Sequence, residues 1–288
     1  MSWLLDPFDP EFMQRALLAA MLAVVAASVV GTWVVIRGLS FLGDALAHGV
    51  IPGMALAVLW GFNLTLGALA TAALMVGGIT LVNRRARVSE DTAVGLLFVG
   101  MLALGVVIIS KSASFATDVQ RLLFGDVLGV TTGDLWLQVG AAVLVIAATV
   151  LGYRPFLALS FNPAKAGSLG LHPGATHLAL LVMIAVAIVS SFQAVGTLLV
   201  FGLLVGPPAT AALLVRRVWQ CMALAVVLGW AAVVTGLILS YHHGTAAGAT
   251  MAGVSVALFF VVLAAQEVVA ALRGVPADPE PGVHAHHH

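Results

Sequence analysis

Apolar runs of about 20 residues alternate with short polar intervals along almost the whole chain. At a helical rise of about 1.5 Å per residue, such a run crosses the roughly 30 Å hydrocarbon layer of a bilayer. The pattern predicts spans near 12–36, 41–60, 64–83, 92–110, 134–152, 176–191, 194–214, 219–240 and 246–270. The expected fold is therefore an all-α polytopic membrane protein of about nine transmembrane helices. Eight or ten remain open, because Ser190, Ser191 and Gln193 and then the pair Pro207 and Pro208 interrupt the sixth and seventh runs; a kinked or re-entrant helix is one way to read them. Residues 1–273 read as one transmembrane domain and 274–288, rich in Pro and His, as a disordered tail.

Composition agrees with the pattern. Of 288 residues, 61% are hydrophobic and 8% charged, where a soluble domain carries roughly a quarter charged residues. The formal net charge is zero, so nothing in the total favours nucleic acid. The single cysteine, Cys221, excludes an intrachain disulfide framework and reads as a small packing residue. Asp6, Asp9 and Glu11 stand where a cleavable signal would be basic, so the first run is expected to be a permanent span.

Basic residues set the expected orientation, since cytoplasmic loops collect Lys and Arg. With nine spans, Arg37, Arg84, Arg85, Arg87, Arg154, Lys165, Arg216, Arg217 and Arg273 share one side and Arg15, Lys111 and Arg121 the other. The expected amino terminus is outside and the carboxyl terminus cytoplasmic. In the longest inner loop, "NPAKAGSLGL" reads as a short helix opened by Asn162 and Pro163 and stopped near Gly170. The outer segment "DVQRLLFGDVLG" reads as an amphipathic piece at the interface.

Candidate chemistry is sparse. Asp44 and His48 stand four residues apart in the second run, a spacing that stacks a carboxylate and an imidazole on one helix face. Spacing alone leaves two readings: a shared divalent cation, or a pair that bonds to itself near the headgroups. Gly43, Gly49, Pro52 and Gly53 make a local break plausible, the device that transporters use for ion sites. His242 and His243 at the outer end of the eighth span read as interfacial polar residues or as outer-gate metal contacts. His172 and His177 read as surface residues, and Glu90 and Asp91 as charges favouring a helix amino terminus. A phosphate-binding GxxxxGK[ST] loop and an HExxH motif are both missing, and a membrane enzyme is poorly supported.

Six blocks in order carry a resemblance: "RGLSFLGDALAHGVIPGMALA", "EDTAVGLLFVGMLALGVVIIS", "LLFGDVLGVTTGDLW", "LSFNPAKAGSLGL", "AVGTLLVFGLLVGPPATAALL" and "LSYHHGTAAGAT". Together they resemble the permease subunit of the zinc and manganese branch of ATP-binding-cassette importers, with a type II importer fold. The resemblance implies a pair of such chains, two copies of a cytoplasmic ATP-binding subunit, and an extracytoplasmic metal-binding protein, with ATP hydrolysis outside this chain. It implies no permanently bound cofactor, only transported manganese or zinc. Asp44 and His48 match the family's intramembrane metal ligands, and Asn162, Pro163, Ala166, Leu169, Gly170 and Leu171 match its coupling helix. The rival readings are a proton-coupled secondary metal transporter and a structural membrane anchor.

Overall fold

The computed structural model describes Pro7 and residues 10–85, 88–111, 129–161 and 172–273. The expected coupling residues Asn162 to Leu171, the segment "DVQRLLFGDVLG" up to residue 128, and the tail 274–288 lie outside the described residues.

All regular structure among the described residues is helical. In chain order these are α1 (Glu11–Ile36), α2 (Ser40–Gly49), α3 (Ile51–Trp60), α4 (Leu64–Arg85), α5 (Glu90–Ile109), α6 (Thr132–Leu151), α7 (Tyr153–Phe161), α8 (Pro173–Leu214), α9 (Val218–His243) and α10 (Ala247–Leu272). Local signals explain several starts. Ser89 accepts from the Thr92 amide at 3.2 Å to cap α5. Thr131 and Asp134 form a reciprocal capping box on α6, with the Asp134 carboxylate accepting from the Thr131 amide at 3.0 Å.

Eight helical stretches are long and apolar enough to span a bilayer, α2 and α3 counting as one. The ninth crossing comes from α8, which is two helices joined at Gly196 (φ 72°, ψ 166°), a conformation essentially restricted to glycine. Geometry requires the chain to reverse there. Arg37 touches His177 at the start of α8, and Gly31, about 9 Å back along α1, packs against the backbone of Leu204. A straight α8 would hold Leu204 about 40 Å from His177. Its second half, the short apolar helix Leu199–Leu214, therefore returns toward the Arg37 end. The reversal thus lies at Gly196, a few residues past Ser190, Ser191 and Gln193, while Pro207 and Pro208 sit inside the returning helix.

At the centre of the bundle α1 and α8 pack against each other and against most other helices. Trp33, Leu46, Met75, Leu180, Ile184 and Leu203 are among its fully buried side chains. Peripheral helices leave large apolar residues bare, among them Leu96, Val150, Trp136 and Phe260. No aqueous fold exposes so much apolar surface, and on a membrane protein lipid covers it. The chain is a multi-pass membrane protein.

Candidate metal passage site

Asp44 and His48 lie on the face of α2 turned toward α5, while the small residues Gly43 and Gly49 on its other side bring the helix close to α8 and α4. A Cβ on Gly43 would stand 2.5 Å from the Leu204 side chain of α8, and one on Gly49 would stand 2.1 Å from the Met75 sulfur of α4. From α5, the Phe98 ring approaches His48 to 5.9 Å and Phe41 to 5.7 Å. The pair faces α5 and is partly buried, with the His48 side chain 17% and that of Asp44 27% exposed.

His48 Nε2 stands 3.4 Å from Asp44 Oδ1. That is long for a hydrogen bond. It equals the separation of two ligands about 2.1 Å from one ion at a near-tetrahedral angle, roughly 3.4 Å. His48 Nδ1 is shielded from solvent and has no hydrogen-bond partner among the described residues.

The break anticipated around Gly49 and Pro52 is slight. Val50, between α2 and α3, keeps right-handed helical angles (φ −83°, ψ −15°). Pro52 has no N–H to offer the His48 carbonyl four residues back, and the Val50 amide donates to that oxygen instead. Depth needs no unwinding either. The joined span Ser40–Trp60 has 21 residues, and His48 lies about 12 Å along its roughly 30 Å length, close to the midplane.

His242 and His243 are not brought to this pair. They close α9 at the end opposite Arg37, where His243 Nδ1 lies 3.0 Å from the Leu239 carbonyl of its own helix and His242 stacks edge-on to Tyr241 at 5.4 Å. Cys221 is buried, with its thiol 3.6 Å from the Pro208 carbonyl. Among the described residues, no three His, Cys, Asp or Glu side chains gather as a metal cluster.

The structure departs from the sequence reading at a second polar cluster. His177, read as a surface residue, is 17% exposed and sits between Arg37 and Glu90, with Nδ1 3.2 Å from an Arg37 guanidinium nitrogen and Nε2 3.1 Å from Glu90 Oε1. Burial draws the Arg37 guanidinium below its ordinary value, and the Glu90 charge opposes that shift; the group stays protonated throughout the accessible range. Glu90 opens α5 as expected, yet its carboxylate serves a contact between helices. No local motif joins residues 37, 90 and 177; the one signal was that all three stand at the same predicted end of their spans.

A helical core built on α1 and a doubled-back α8 thus carries a carboxylate–imidazole pair near mid-depth. The model of the ABC 3 transport family matches residues 9–266. The chain belongs to that family. Its members are membrane components of transporters, and residues 9–266 include every residue of both polar clusters. The manganese transport system membrane protein MntC of Listeria monocytogenes is 36% identical over 251 residues, 87% of this chain and 89% of that one. A probable iron transport system membrane protein of Haemophilus influenzae is 34% identical over 267 residues, covering 93% and 98%. Among solved structures, PsaBC from Streptococcus pneumoniae in complex with Fab superposes with a TM-score of 0.82 at 29% identity, covering 94% of this chain and 98% of that one.

Proposed function

We propose that this chain is the permease subunit of an ATP-driven importer of a divalent transition metal, manganese or zinc, and that the metal passes through Asp44 and His48 by alternating access. The observation that carries the reading is the 3.4 Å separation of the two side chains near mid-span, a distance suited to cis ligands on one cation. The family and the relatives named for manganese transport support it. A carboxylate and a neutral imidazole suit manganese and zinc alike, and the lack of a thiolate disfavours cuprous copper. With no third side chain from the described residues, the ion is held strongly enough to enter and weakly enough to leave.

ATP is hydrolysed on two copies of a separate cytoplasmic subunit, which grip this chain and a second copy of it through residues 162–171. An extracytoplasmic metal-binding protein delivers the cargo. The Arg37 end is cytoplasmic, because nine basic residues gather there against three at the other end; the amino terminus is then outside and the carboxyl terminus inside.

The test is uptake of radioactive manganese and zinc into proteoliposomes holding the chain with its ATP-binding and metal-binding partners. ATP-dependent accumulation of either metal, lost in Asp44→Ala and in His48→Ala while both variants stay monodisperse, is the expected result. Uptake that ignores ATP and follows a proton gradient would replace this reading with a secondary transporter.

A further inference from the structure

Resting on the permease reading, the structure assigns Arg37, His177 and Glu90 as the gate that closes the metal route at the Arg37 end. The three residues come from three helices, α1, α8 and α5, and meet at a single point. They lie on the exit path from the proposed site. Glu90, Val94 and Phe98 are spaced i, i+4, i+8 and share one stripe of α5. Phe98, about 12 Å above Glu90, touches His48. A cation leaving Asp44 and His48 toward this end meets Phe41 and Phe98 first and then the polar cluster.

The chemistry of the cluster opposes passage while it is shut. A guanidinium only donates hydrogen bonds, so His177 Nδ1 facing Arg37 is the accepting nitrogen and the proton sits on Nε2, toward Glu90. In the closed cluster the Glu90 carboxylate faces the His177 ring at 3.1 Å, and the Arg37 charge stands across the route of a divalent cation. Separation reverses this, leaving Glu90 as a free carboxylate that draws the ion outward. The contact is also easy to part. His177 Nε2 and Glu90 Oε1 are shielded from solvent, yet at 3.1 Å neither has a well-aligned hydrogen-bond partner among the described residues. His177 lies in the second turn of α8, whose cap His172 directly follows residues 162–171.

A single thiol reads the gate. With Cys221→Ser and Val94→Cys, the probe sits one turn above Glu90 at a site that is 2% exposed. The full chain in lipid nanodiscs is labelled with a membrane-impermeant maleimide. Glu90→Gln and His177→Ala should each speed labelling at position 94 by about tenfold or more, equivalent to about 1.4 kcal/mol in the opening equilibrium, and Glu90→Asp should restore most of the protection. The native Cys221, probed separately with Val94 intact, should be unaffected. Equal acceleration at Cys221 would make the cluster a structural staple, and unchanged labelling at position 94 would remove the gate; either overturns the inference. Selective opening at position 94 in a chain that takes up no metal with ATP would keep the gate and overturn the permease reading instead.

Discussion

Replacing Gly53 by alanine should wedge α3 from α4 and loosen the whole chain. A Cβ on Gly53 would stand 2.0 Å from the Gly67 carbonyl oxygen, and one on Gly67 would stand 2.2 Å from the Gly53 oxygen, so the two backbones meet with nothing between them. Such close approach is how helices associate in a bilayer, where lipid tails are as apolar as any side chain. Both obstacles are backbone and no rotamer change relieves them, so the helices must separate by about 1 Å. The Thr71 hydroxyl, which donates to the Val50 carbonyl at 3.3 Å between the same two elements, is displaced with them.

Overpacking of this kind costs about 1–3 kcal/mol, and alanine recovers about 0.5–1 kcal/mol as a better helix former. The difference is at most about 2.5 kcal/mol, and a net loss of about 1–2 kcal/mol within that range multiplies the open population by about 5–30. Cys221 provides the assay. It is the only cysteine and is 3% exposed, so a fluorogenic maleimide in mild detergent labels it only as the bundle opens. Gly77→Ala is the matched control, since a Cβ there meets nothing within 4 Å and only the helix-forming gain remains. Gly53→Ala should label about 5–30-fold faster than wild type and Gly77→Ala no faster. If Gly53→Ala labels no faster than Gly77→Ala, the reasoning from close approach is refuted.

Gln138 is 2% exposed and neither of its amide atoms has a partner among the described residues; Gln138→Leu should therefore raise the thermal midpoint, by a stability gain of about 1–3 kcal/mol. A fall in the midpoint would mean that the amide binds something in the native bundle. Thr131→Ala removes one arm of the α6 capping box and should cost about 1 kcal/mol, read as faster amide exchange in the first turn of α6, whereas Thr131→Ser should be nearly silent. With Asp44 and His48 as the side-chain ligands, zinc and ferrous iron should both compete with manganese uptake when the metal-binding protein is omitted; strict manganese selectivity without it would require further ligands at the pair.

The crossings were legible because the bilayer imposes a long, nearly uniform apolar length on every span. Seven of the nine sequence-based spans correspond to single continuous crossings in α1, α4, α5, α6, α9, α10 and the joined α2 and α3. The boundary within α8 was less clear for a physical reason. Apolar residues continue on both sides of Gly196, and the reversal depends on one residue's backbone angles, which leave little trace in hydropathy. The capping box at Thr131 is present in the sequence as a T-x-x-D pattern, a weak signal beside the much stronger apolar one.

The two polar clusters differ in legibility for a related reason. Asp44 and His48 occupy one helix, so a spacing of four residues suffices to place them together. Arg37, Glu90 and His177 come from three helices, and their juxtaposition depends on how α1, α5 and α8 end at a common level. Local periodicity carries no information about that level. A cation carrier needs both kinds of arrangement: a pair on one rigid element keeps its ligand separation while the bundle moves, whereas a gate must join elements that move apart. The pair proposed to bind is accordingly visible as a spacing in the sequence, and the contact proposed to open becomes visible only once the helices are assembled.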